Sequence, residues 1–230
     1  MSPAATLAPA PSAAELSTRL AALLRRLEAS APDPGRVRLV AVTKGFEPAA
    51  VAAALAVGLR DIGENYATEL LGKAALFPPG AGPTPVWHYL GAVQRRRVPG
   101  LAPVVGLWHG LARIEEGEAI GRRAPGAAVL VEVELSGAPG RNGCRPEAVP
   151  GLVGRLRDVG LDVQGLMTVA PPGPPSVARQ AFRACAGLAG ELGLRELSMG
   201  MSGDVEIAVE EGATMVRVGQ ALFGPRHPGR

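Results

Sequence analysis

The stretch Val37-Arg-Leu-Val-Ala-Val-Thr-Lys44 reads as a short apolar β-strand that stops on a lysine. Its branched aliphatic residues suit a strand buried on both faces, and the run is too short for a core helix. Directly after it, Pro48–Val57 reads as a helix and Arg60–Gly63 as a second strand. Strand, helix, strand in close succession is the repeating unit of a parallel sheet.

The same alternation continues in both directions. Upstream, Ala14–Ala29 reads as a helix with Leu16, Leu20, Leu23, Leu24 and Leu27 on one stripe, ended by Pro32 and Pro34. Downstream, strands are expected at Val86–Leu90, Val104–Trp108, Ala128–Leu135, Val163–Val169, Glu196–Met199 and Met215–Val218. Helices are expected at Tyr66–Leu76, from Gln94, and at Ala112–Arg122, Pro146–Asp158, Ser176–Leu192, Val205–Glu210 and Gln220–Phe223. Eight strands, each followed by a helix, predict an α/β protein: a single (β/α)8 TIM-type barrel with an additional N-terminal helix. Several runs are short and interrupted by glycine, so a doubly wound open sheet stands as the alternative. No linker divides the chain. Residues 14–230 read as one domain and residues 1–13, rich in Ala and Pro, as a flexible N-terminal tail.

Composition narrows the function. Hydrophobic residues make up 47% of the 230 residues but aromatics only 3%, so the core must be aliphatic. A net charge of +3 is too small to imply nucleic acid. No apolar run approaches the roughly 18 residues of a membrane span. The N-terminus has no basic residue ahead of an apolar stretch, and Cys144 and Cys185 are isolated; both point to a reduced, cytoplasmic protein. His88 and His109 lack further ligands at metal spacing and read as core histidines, and Arg95–Arg97 reads as a solvated face. Neither a P-loop nor GxGxxG occurs.

Barrel chemistry gathers at the C-terminal ends of strands. Those ends hold Lys44, Glu64 and Asn65, His88–Gly91, His109, Ser136, Met167–Ala170, Ser198–Ser202 and Arg217–Gln220. The 24 basic residues comprise 22 arginines and two lysines, Lys44 and Lys73. Only lysine can lose a proton near neutral pH and attack a carbonyl, so a lysine kept at a strand end points to chemistry, with chance survival of two lysines as the alternative. Its competing role is an ion pair with Glu64, Glu132 or Glu134. The turns SMGMSGD (Ser198–Asp204) and VRVGQALFG (Val216–Gly224) sit after strands seven and eight, where glycines and helix N-termini form phosphate sites. As ordinary turns they would need only Asp204 as a helix cap. Arg217 alternates with Val216 and Val218 and so faces the opposite way. If it faces inward it needs a partner, either a cofactor ring nitrogen or a glutamate of strand five, where Glu132 and Glu134 share a face.

Six segments in order, LVAVTK (39–44), IGENY (62–66), WHYLGAVQ (87–94), GLMTV (165–169), LSMGMSGD (197–204) and MVRVGQALFG (215–224), make the chain resemble the pyridoxal phosphate homeostasis proteins. These small proteins are similar to the N-terminal barrel of alanine racemase. The resemblance implies pyridoxal 5'-phosphate bound as a Schiff base on Lys44, with Asn65 and Met167 by the ring. It places Arg217 at the pyridine nitrogen, and Ser198, Met201, Ser202 and Gly219 around the phosphate. It further implies a monomeric, non-catalytic carrier serving pyridoxal-phosphate-dependent apo-enzymes, with neither nucleic acid nor membrane as partner. Racemases of this barrel type use a second acid/base, a tyrosine on another domain, and here the chain stops soon after strand eight with Tyr66 and Tyr89 as its tyrosines. A barrel kept as an interaction scaffold is the third reading. Three departures stand out: Gln220 where members usually carry Thr or Ser, Gln94-Arg-Arg-Arg97 in place of Gln-x-Asn-Lys, and a glycine motif that ends in Gly203-Asp204 with one acid.

Overall fold

The computed structural model describes residues 7–30, 37–80, 82–138 and 140–226. Eight parallel strands close into a barrel in sequence order: β1 (Arg38–Val42), β2 (Asp61–Glu64), β3 (Val86–Tyr89), β4 (Val105–Leu111), β5 (Ala128–Glu132), β6 (Asp162–Met167), β7 (Glu196–Ser198) and β8 (Met215–Val218). β8 pairs with β1, with Val40 opposite Arg217, and this pairing excludes the open-sheet alternative. The helices are α1 (Ala13–Ser30), α2 (Ala49–Ala56), α3 (Ala67–Ala74), α4 (Val98–Leu101), α5 (Ile114–Gly121), α6 (Val149–Asp158), α7 (Pro175–Glu191), α8 (Val205–Glu210) and α9 (Gln220–Phe223). α1 precedes the barrel and lies against α2, α8 and α9.

Strand alternation separates two interiors. Leu39, Ala41, Ile62, Trp87, Trp108, Val129, Val131, Val216 and Val218 face outward into the main core beneath the helices. A smaller inner cluster of Leu107, Leu130, Met167 and Met215 fills the barrel itself. The inner surface also carries buried polar groups, His88, His109, Ser198 and Arg217.

Three boundaries differ from expectation. β4 runs on to Leu111, so His109 lies within the strand and not at its end. β5 stops at Glu132, which moves Glu134 off the sheet. The helix expected from Gln94 is a 3₁₀ turn, Arg95–Arg97, followed by the four-residue α4, with Pro99 in its first turn. Of the stretch expected as a free tail, residues 1–6 lie outside the described residues. Ala8 is buried: its N–H donates to the Gly45 carbonyl at 2.8 Å, and its own carbonyl accepts from the Glu47 N–H at 2.9 Å. Pro32 and Pro34, the expected end of α1, lie outside the described residues.

Candidate functional site

A cavity of about 510 Å³ opens at the C-terminal mouth of the barrel. Lys44, Asn65, Met167, Met201, Ser202, Arg217, Gly219 and Gln220 all line it, together with Glu132, Asn142 and Arg226. Eight of the nine expected site residues therefore meet in one place.

Lys44 follows β1 on the inward parity of Val40 and Val42 and reaches the mouth half-buried. Among the described residues it makes no ion pair. Burial pulls its amine below the usual lysine value of 10.5, and the Arg226 and Arg217 charges lower it further. Glu64 is not its partner. That carboxylate has the outward parity and accepts at 2.6 Å from Lys73, which α3 brings from the helix layer. Lys73 also donates to the Thr43 carbonyl at 2.7 Å, and Glu69 accepts the Gly45 N–H at 2.7 Å. The peptides on both sides of Lys44 are thus clamped by a buried ion cluster. Composition pointed to Lys73 as a scarce lysine but gave it no role; the Glu69–Lys73 spacing on α3 was the available signal.

Arg217 lies lower in the barrel. One terminal nitrogen, Nη1, donates to the Ser198 carbonyl at 2.6 Å and its hydroxyl at 2.7 Å, and Nη2 donates to the Thr168 carbonyl at 2.8 Å. Of five guanidinium hydrogens these contacts use three, and the other two have no protein acceptor among the described residues. Burial pulls its pKa down to about 10, so it keeps its charge at neutral pH. The expected glutamate partner does not take that place. Glu132 lines the cavity and accepts a hydrogen bond from Asn142, and burial raises its pKa against the pull of Asn142 and Arg217. Glu134, beyond the strand end, caps the Ser136 and Gly137 amides instead. Ser198, expected at the phosphate, is fully buried beneath Arg217, because the inward parity of β7 points it into the barrel.

The turns after β7 and β8 form the wall on the β8 side of Lys44, since β8 pairs with β1. Among the described residues, the N–H groups of Ser202, Gly203, Gly219 and Gln220 donate to no protein acceptor. Ser202 Oγ accepts from the Ala221 N–H at 3.1 Å, which leaves its hydroxyl hydrogen free to donate. The Met201 N–H is already taken by the Asp204 carboxylate at 2.5 Å, so Asp204 ties the turn through its side chain. Gly200 is required here: it has φ +92°, and a Cβ there would sit 2.5 Å from that of Ala208. Gly219 lets its backbone lie close to β1, where a Cβ would crowd the Val42 carbonyl oxygen at 3.2 Å. An amine, a guanidinium and a wall of unpaired N–H groups in one cavity suit an anionic ligand that carries a carbonyl. Pyridoxal phosphate, with its aldehyde, ring nitrogen and phosphate, fits this donor set.

Residues 17–227 match the family model of the alanine racemase N-terminal domain. The pyridoxal phosphate homeostasis protein of Pseudomonas aeruginosa is 37% identical over 226 residues, covering 94% of this chain and 96% of that protein. Its counterpart from Deinococcus radiodurans is 40% identical over 205 residues, covering 87% and 95%. PipY of Synechococcus elongatus, at 31% identity, superposes with a TM-score of 0.81 in the structure solved without PLP and 0.76 with PLP bound; each match covers 91% of this chain and all of PipY. From its sequence, its closed barrel and these likenesses, the chain belongs to the alanine racemase N-terminal domain family, in the group of the pyridoxal phosphate homeostasis proteins.

Proposed function

We propose that this protein is a non-catalytic carrier of pyridoxal 5'-phosphate that holds the cofactor as a Schiff base on Lys44 and so limits free aldehyde in the cytoplasm. The observation that carries this reading is a half-buried lysine, free of an ion pair among the described residues, that lines one cavity together with the unpaired N–H groups of the turns after β7 and β8. When bound, pyridoxal phosphate supplies an aldehyde that condenses reversibly with a primary amine, releasing water. Lys44 supplies that amine in a form that burial helps to deprotonate. Ser202, Gly203, Gly219 and Gln220 offer hydrogens to the phosphate. Asn65 and Met167 would flank the ring, and Arg217 would offer one hydrogen to the ring nitrogen. A charged donor there keeps that nitrogen unprotonated and the ring a weak electron sink.

Two features favour carriage over racemisation. Tyr89 points out of the barrel onto Trp108, with ring centroids 5.6 Å apart, and Tyr66 is exposed beside the mouth. Neither tyrosine lines the cavity, so a tyrosine base is missing from it among the described residues. On this reading the protein works as a monomer and passes its cofactor to pyridoxal-phosphate-dependent apo-enzymes.

The test is the visible absorption of purified protein supplied with pyridoxal phosphate, before and after borohydride, beside Lys44→Ala. The expected result is a yellow band that borohydride bleaches in the wild type and that the variant lacks. A wild-type protein that stays colourless would favour the scaffold. Alanine racemisation at the rate of a true racemase would make the protein an enzyme.

A further inference from the structure

Beneath Arg217 a chain of polar groups runs down the inside of the barrel. Ser198 Oγ, which accepts from Arg217, lies 2.9 Å from His109 Nδ1. His109 Nε2 lies 2.9 Å from His88 Nδ1, and His88 Nε2 lies 2.9 Å from Asp61 Oδ1. Ser198, His109 and His88 are wholly buried. Asp61 opens β2 at the opposite end of the barrel, with 27% of its side chain exposed. The neighbours at this depth are Leu107, Leu130 and Met215. An interior needing only volume would be aliphatic throughout, because buried polar groups cost desolvation free energy unless each is hydrogen-bonded.

Donor accounting gives the chain a direction. Arg217 already donates into Ser198 Oγ, so the serine hydrogen is free for His109 Nδ1. His109 is then a neutral imidazole with its hydrogen on Nε2, donating to His88 Nδ1, and His88 donates from Nε2 to the Asp61 carboxylate. A guanidinium fixes one end and a carboxylate the other, and every link has one donor and one acceptor. Burial, together with His88 and the cations Arg217 of β8 and Arg38 of β1, holds His109 well below the usual histidine range. Glu132 of β5 and Asp204 also act on the Arg217 end.

We propose that His109, His88 and Asp61 are positioning residues which, through Ser198, hold Arg217 in the orientation and hydrogen-bonding state that it presents to the ring end of the cavity. A carboxylate on the far face of the barrel thereby tunes a group at the mouth. The cofactor side of this assignment rests on the carrier reading above.

Three variants test it: Asp61→Asn, Asp61→Glu and His88→Gln. In the loaded protein the position of the visible band reports on the ring end of the cavity. Asp61→Asn and His88→Gln should move that band, and Asp61→Glu should restore it. A band unmoved in Asp61→Asn would overturn the proposal and leave the histidines as packing. The apoprotein supplies a readout that does not need the cofactor: the side-chain N–H signals of Arg217 by ¹⁵N NMR. These should shift in Asp61→Asn and return in Asp61→Glu; signals indifferent to residue 61 would overturn the chain. If the wild type takes up no colour, the carrier reading fails, and the Arg217 signals still decide the chain.

Discussion

The two lysines sit close together in space and on opposite sides of one sheet. Lys44 lies inside the barrel mouth without an ion pair among the described residues, and Lys73 lies outside the sheet beneath α3, bonded to Glu64, Glu69 and the Thr43 carbonyl. On the proposed function the same side chain is a reactive amine in one place and a structural cation in the other. What separates them is the availability of a carboxylate. Glu64 faces outward by strand parity, so it satisfies Lys73 and is denied to Lys44. Burial without a partner favours the neutral amine, whereas burial with a partner keeps the charge and makes it structural.

The largest effects should fall on opposite readouts for the two residues. Lys44→Ala should abolish the borohydride-sensitive band and leave thermal stability nearly unchanged. Lys73→Met should leave Glu64 buried and unpaired at a cost of about 3–5 kcal/mol, because removing one partner of a buried pair strands the other charge. For a chain of this size that is a melting-point loss of roughly 6–20 °C. A Lys73 variant that melts like wild type would remove the distinction between the two lysines.

Arg217→Gln comes next. It should retain the covalent band but weaken cofactor binding by about tenfold to a hundredfold, as expected for losing hydrogen bonds from a charged donor, about 1.5–3 kcal/mol. Equilibrium dialysis at neutral pH would measure it.

The pH dependence of capture sharpens the comparison further. Attack requires the neutral amine, and the Lys44 pKa is lowered, so the capture rate should reach its midpoint below pH 10.5. The sign carries over to stability. The ammonium form is favoured in the unfolded chain, so between the folded and unfolded pKa values a rise in pH should stabilise the apoprotein, and Lys44→Met should lose that slope. Arg226→Ala should move the capture midpoint upward, since that cation lowers the Lys44 pKa.

The smallest effect expected is at Gln220. Gln220→Thr should tighten phosphate binding by a few-fold, the worth of one hydrogen bond at about 0.5–1.5 kcal/mol.

Much of this was legible in the residues. The alternation of short strands and helices predicted the barrel, the strand end placed Lys44 at its mouth, and period-two reading set Arg217 on the face opposite Val216 and Val218. The pairing of Lys73 with Glu64 was not legible, because it depends on how α3 is rotated over β2. Nor was the histidine chain, which depends on register: the β3–β4 pairing shifts between Trp87 and His88, and strand parity alone does not bring His88 opposite His109. Glu134 was expected to share a strand face with Glu132 because the apolar run suggested a longer β5. Its carboxylate instead serves the loop that follows.

The bridge between Ala8 and Phe46 ties the start of the chain to the far side of the Lys44 loop. Trimming the chain through Ala10 would strip two backbone hydrogen bonds from residues 45–47 and uncover Phe46, which packs on Phe223 after β8. The described N-terminal residues therefore act as a brace on the loop that follows Lys44. Their susceptibility to protease should report on how firmly that loop is held.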